Sequence, residues 1–305
     1  MNPLILALAA CIGHGFCGAL ISVYMSEISA RKVQPFVFYA LSNLLGGVLA
    51  WCIVPFCHAE IPERLPLLSL ILGACGFTYV VALYVQIQCF TIGKKGLTSA
   101  CTTSAIIIPF LFGVIAMGER PRPLGYLGAL CLLCGMVVCV LTGKQKEEET
   151  QAQTQGNYMK WFALTMLCIV LNGCGAILQS LSSWMGFDNV SGMFRAALLM
   201  TLSGVGNLLA CAVVKANPLK GVKSILPWAA IWAVVGTATN LIFFVAMDAM
   251  AKVGAGSFTT CISSTAALLF FFLYTSVRFR ERYRPVTILG IVICLLGILA
   301  IGIGK

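Results

Sequence analysis

Polar and ionisable side chains set deep in apolar segments are the residues of this sequence whose chemistry most needs a reason, because lipid makes them costly. His14 is the sharpest case. It lies about eleven residues into an apolar run, and at 1.5 Å per residue that is roughly 16 Å deep, near the centre of a bilayer. An imidazole titrates near neutral pH, so His14 can exchange a proton with water on either side of a membrane; a neutral histidine bonded to a carbonyl is the structural alternative. Asn172 lies in another apolar run, where an amide either meets a solute or glues two helices. Tyr79, Thr102, Thr237, Asn240, Thr260 and Ser264 fall at mid-depth of further runs and offer hydroxyl and amide partners without fixed charge. With His14 and Asn172 they form the candidate substrate or proton site, suited to a neutral or zwitterionic solute. Asp and Glu are missing at mid-depth, which counts against carboxylate-based exchange of cations.

The other charged residues read as structural. Arg195 lies about six residues into its run, close enough to an interface to snorkel. Asp248 and Lys252 are one helical turn apart and predict a local ion pair. Glu119 and Glu281 each stand among arginines just before a proline that opens a helix, where a carboxylate stabilises the helix dipole. Fifteen cysteines lie almost entirely in apolar runs and act as small hydrophobes. The pair Cys131 and Cys134 has metal or redox spacing, but no second pair or histidine accompanies it. No metal site or cofactor is expected. No glycine loop of the Walker type is present, which speaks against ATP-driven transport; a hydrolase needs a nucleophile with a positioned base, and since His14 and His58 are the only histidines and His58 falls in a loop, an enzyme is not expected.

The elements that must hold these residues follow from composition. Of 305 residues, 60% are apolar and 10% are charged, and the mean hydropathy is +0.97. Soluble domains run near 45–50% apolar and about 25% charged, so a bilayer has to supply much of the burial. Apolar runs predict ten helices, over about 3–26, 34–56, 66–91, 97–117, 123–142, 158–182, 189–214, 225–249, 255–276 and 285–303. Residues 143–157, GKQKEEETQAQTQGN, are the one long polar stretch and read as a solvated linker. The net charge of +10 comes from bases between apolar runs, which suits lipid contact and orientation rather than nucleic acid. Fourteen of the 20 Lys and Arg lie in or beside the odd-numbered connections, and the positive-inside rule places those connections in the cytoplasm.

The two halves repeat each other. CIGHGFCGA at 11–19 matches CIVLNGCGA at 168–176, GKKGLTSACT at 93–102 matches AKVGAGSFTT at 251–260, and GERPRP at 118–123 matches RERYRP at 280–285. The repeat divides the chain into 1–142, the linker 143–157 and 158–305. Five spans per half is an odd number, so the second half crosses the membrane in the opposite sense. The expected fold class is therefore an all-α integral membrane protein of ten transmembrane helices, a five-plus-five inverted repeat. Such repeats recur in secondary transporters, whose site lies at mid-membrane between the halves.

The stretch from Cys89 to Leu141 resembles the EamA-type branch of the drug/metabolite transporter superfamily. The resemblance is carried by Thr98, Ser99, Ala100, Thr102, Thr103 and Ser104, then Pro109, then Gly118-Glu119-Arg120, then Gly125, Gly128 and Gly135. The second half repeats the pattern with Glu281 and Gly290, Phe194-Arg195 looks like the arginine common early in the second helix of each half, and His14-Gly15 stands where the family commonly has Trp-Gly. The resemblance implies a ten-helix carrier with a central cavity lined by helices 1, 3, 4, 6, 8 and 9, and with both termini inside, opposite to the charge rule. The expected activity is alternating-access transport of a small organic metabolite, an amino acid or derivative first, coupled to protons and directed outward. The expected location is the plasma or inner membrane, with the bilayer and a small-molecule substrate as partners and a homodimer left open. A non-transporting scaffold or sensor, or a passive channel, is the alternative.

Overall fold

The computed structural model describes residues 3–31, 35–57, 61–93, 95–116, 122–144, 153–182, 185, 187, 189–215, 222–252, 256–280 and 283–303, and helices account for most of them. In chain order they are α1 (Pro3–Arg31), α2 (Pro35–Ile53), α3 (Leu65–Ile92), α4 (Lys95–Thr103), α5 (Ile107–Ile115), α6 (Pro123–Lys144), α7 (Gln153–Ser182), α8 (Gly192–Val213), α9 (Val222–Lys252), α10 (Gly256–Arg278) and α11 (Pro285–Ile303). Prolines open α2, α6 and α11, where the missing N–H costs no helical bond. Gly93 ends α3 in an extended conformation, its N–H still donating to the Cys89 carbonyl.

Among the described residues, five helices are long and apolar enough to cross a membrane, and five further segments carry shorter apolar stretches. Exposed Leu, Val, Ile and Phe side chains cover much of the outer surface, as in Leu70, Val213 and Leu273. Water would not tolerate that surface; hydrocarbon does.

One predicted element differs. The span expected as one helix over 97–117 is broken, with a 3-10 turn at Ser104–Ile106 between α4 and α5. Pro109 explains the break: it has no N–H for the Ala105 carbonyl, and its ring crowds the turn before it. The corresponding stretch of the second half has Ala267 in place of proline and runs unbroken through α10. Helix ends also move outward, α1 continuing to Arg31 and α9 to Lys252.

The packing is paired. α2 lies along α8 and α6 along α11, while α1 packs on α9 and α10 much as α7 packs on α3 and on α4 and α5. Small residues permit these approaches, and the approaches come in reciprocal sets. A Cβ at Gly15 would lie 2.7 Å from the Ala266 Cβ, and a Cβ at Gly173 would lie 2.5 Å from the Ile108 Cβ. Gly47 meets Thr201 as Gly204 meets Leu44, and Gly135 meets Gly290 and Cys294 as Gly297 meets Gly128 and Leu132. Exchanging the partners of each set amounts to a constant step in residue number, 158, 157 and 162 in turn. Contacts that swap this way are what a two-fold axis produces.

Candidate functional site

A cavity of about 380 Å³ opens among α1, α2, α3, α4, α5, α7, α8, α9 and α10. Each wall is a single helical face, because its residues recur every three or four positions. On α1 the face is His14, Gly18 and Ile21; on α3 it is Gly76, Tyr79, Leu83 and Gln86. On α7 it is Asn172, Ala176 and Gln179, and on α9 it is Trp232, Gly236, Asn240 and Phe243. Thr102, Thr103 and Pro109 add the broken helix, and Ser263 and Ser264 add α10. Asp, Glu, Lys and Arg are absent among the described lining residues.

Many polar groups here are already engaged by backbone. The Asn172 Nδ2 donates to the Cys168 carbonyl at 2.9 Å, and the Asn240 Nδ2 donates to the Gly236 carbonyl at 2.9 Å. A carbonyl oxygen accepts and never donates, so each amide must turn its NH2 rather than its oxygen toward it, which fixes the way it faces. The Thr102 and Thr103 hydroxyls donate to the Ser99 carbonyl, and the Ser263 hydroxyl reaches across to the Cys11 carbonyl at 2.9 Å. Tyr79 donates to the Gln179 Oε1 at 3.0 Å, joining α3 to α7. Gly175 lets the Tyr79 ring sit this close, since a Cβ there would be 2.8 Å from the ring.

The His14 ring packs at 5.0 Å and 53° against Phe243 of α9. Its Nδ1 is buried with no hydrogen-bond partner among the described residues. A buried polar atom left so costs about 1–3 kcal/mol, which makes it a conspicuous feature of a wall otherwise well satisfied.

Of the expected site residues, His14, Tyr79, Thr102, Asn172, Asn240 and Ser264 line this one cavity. Thr237 does not: it is buried one helical face away, donating to the Gly46 carbonyl at 3.1 Å beside the Met200 Sδ. Its polar group therefore joins α9 to α2. Thr260 falls on α10, but its side chain lies outside the described residues, as do Glu119 and Glu281 altogether. Sequence reasoning passed over Asn43, Gln86, Gln179, Trp232 and Phe243, all in the wall. Gln86 was legible, seven residues beyond Tyr79 on the same face, and so was Gln179, seven beyond Asn172.

The snorkelling expected of Arg195 is overturned. Its side chain is 0% exposed and forms a charge-assisted bond with Asp248 of α9, stacking 4.5 Å from the Phe244 ring centre. Asp248 pairs across helices with the guanidinium that α8 brings to its oxygen; the side chain of Lys252, its expected local partner, lies outside the described residues. Among the described residues no group of three or more His, Cys, Asp and Glu is placed to hold a metal ion, and the described cysteines are free thiols.

No curated protein matches this chain. Among solved structures it is similar to a crystal structure of another protein, with a TM-score of 0.66 and 15% identity, covering 96% of this chain and 97% of that one. At that identity the likeness speaks for the fold, and it spans both halves. Residues 2–141 match the EamA-like transporter family. That match covers a little under half of this multi-helix membrane protein, and the family it points to is part of the drug/metabolite transporter superfamily.

Proposed function

We propose that this chain is a secondary carrier of a small organic metabolite, working by alternating access. The carrying observation is the cavity itself. It sets polar side chains among apolar ones near the middle of its helices, and it is lined by both 3–142 and 158–303. The two halves are read as five spans each, related by an axis in the membrane plane. The reciprocal glycine contacts support that reading, since an odd number of spans turns a two-fold relation into inverted topology. Residues 1–142 and 158–305 are then two equivalent arms around the site, joined by 143–157.

Within the same reading, His14 is the proton-coupling group. Its unpartnered Nδ1 supports the role, because a second conformation that brought water to the ring would give that atom both a partner and a route for a proton. Among amino acids and their derivatives, the uncharged derivatives are the first substrates to try, outward transport is the first direction, and the plasma or inner membrane is the location.

Flux in reconstituted vesicles tests the carrier. Saturable uptake with counterflow of a preloaded solute is expected. Flux that rises linearly with concentration would indicate a channel, and no flux across a broad metabolite set would leave a scaffold or sensor.

A further inference from the structure

The chemistry of the cavity wall narrows what it accepts. The inference rests on the carrier reading and deepens it. We infer that the cavity recognises an uncharged solute through an amide edge: a lactam, ureide or primary carboxamide that presents N–H beside C=O.

Charge comes first. Among the described lining residues there is no carboxylate, ammonium or guanidinium. An ionised solute leaving water would find no counter-charge here, and desolvating an unpaired ion is prohibitive beside desolvating a neutral amide. The buried charges of Arg195 and Asp248 are engaged with each other and are not part of the wall.

Hydrogen-bond capacity comes second. The hydroxyl donors of Thr102, Thr103, Thr239 and Ser263 already point at backbone carbonyls. Beside the remaining serine hydroxyls, the wall offers carboxamides. Asn172 and Asn240 hold their Nδ2 on their own helices and keep Oδ1 for a donor. Gln179 receives Tyr79 on Oε1 and keeps Nε2 for an acceptor. Gln86 also borders the cavity from the same face as Tyr79. Acceptors and donors of amide type on several walls match a solute with both, set side by side in one plane, as carboxamide side chains match base edges. The aromatic rings of Tyr79 and Phe243 supply apolar faces for a flat body. The volume, about 380 Å³, lies in the lower range of small-molecule sites, enough for a single ring system with a small substituent.

The test uses matched probes on the full-length protein in detergent and in vesicles: uracil beside orotate and 1,3-dimethyluracil, and nicotinamide beside nicotinate and N,N-dimethylnicotinamide. The unmodified amides are expected to raise the unfolding temperature, and their acids and N-methylated forms to do so at least tenfold less effectively in concentration. Asn172→Leu and Asn240→Leu should each weaken that response about tenfold, the loss of one hydrogen bond, while an unchanged unliganded melting temperature verifies folding. Equal or better binding of the acids or methylated forms, an undiminished response in both variants, or no response to either amide overturns the inference. The two readings fail separately: binding of the amides without counterflow removes the carrier and keeps the amide site, and counterflow of a charged solute keeps the carrier and removes the amide site.

Discussion

At the scale of residues, the membrane interior turns small polar differences into roles. His14 is part of the cavity wall but has its Nδ1 turned into packing beside Phe243, whereas Asn172, close to its image in the second half, satisfies its own amide on Cys168. In the proposed carrier, that asymmetry assigns the exchange of a proton to His14 rather than to Asn172. His14→Ala should abolish the dependence of uptake on an imposed pH gradient and leave the melting temperature within a few degrees. An unaltered gradient dependence in vesicles removes it from coupling. Arg195 poses the opposite case, a charge that is buried because it is paired. Arg195→Met leaves Asp248 facing a low-dielectric surrounding and should cost about 3 kcal/mol, read as a lowered melting temperature. The double change Arg195→Met with Asp248→Leu should recover most of that loss; a double variant as unstable as the single would show that the pair does more than neutralise itself.

The sequence made His14, Tyr79, Thr102, Asn172, Asn240 and Ser264 visible because polar side chains stand out against apolar neighbours. It could not show that Thr237 turns away. A rotation of one position on α9 separates the cavity face of Gly236 and Asn240 from the α2-facing side, and mid-depth alone does not specify rotation. The Arg195–Asp248 pair was hidden for a related reason: fifty-three residues separate its members, and only the pairing of α8 with α9 brings them together.

At the scale of elements, glycine decides how close helices come. Gly15 has the Ser263 carbonyl oxygen 2.5 Å from where a Cβ would be, whereas Gly206 has only a Phe77 ring carbon at 3.9 Å. Gly15→Ala should therefore destabilise by about 1–3 kcal/mol through overpacking of α1 against α10. Gly206→Ala has space and should stabilise α8 by about 0.5–1 kcal/mol, since glycine in a helix interior loses more backbone entropy than alanine. Thermal unfolding in detergent measures both, and equal effects would contradict the close approach at α1. Helix existence was plain from apolar runs, with ends shifted by a few residues. The break before Pro109 was not foreseen, although the proline itself was read within that span; a ring that offers the Ala105 carbonyl no donor four residues on, leaving it to the Ile107 N–H, divides a helix into two pieces. Its counterpart by sequence, α10, has no such proline and runs unbroken.

At the scale of the molecule, the sequence repeat and the packing point the same way. Offsets of 157, 158 and 162 between matching segments of sequence recur in the reciprocal contacts of α2 with α8, α1 and α7 with their neighbours, and α6 with α11. What the repeat could not convey is which helices touch. Those contacts depend on glycine positions and on side chains that differ between the halves, such as Ala266 against Ile108. Along α6 and α11 each helix places a glycine against the other's backbone, Gly135 at the Gly290 carbonyl and Gly297 at the Gly128 carbonyl, so the joint is made of surface rather than of tether. Severing the polypeptide within 143–157 and producing both fragments in one membrane should thus yield a reassembled, thermally cooperative complex that co-purifies. Fragments that never associate would show that covalent continuity does what mutual fit is credited with here. If they do associate, gene fission and fusion become interchangeable histories for this architecture, and a lone fragment becomes a seed for twinned assemblies of its own kind.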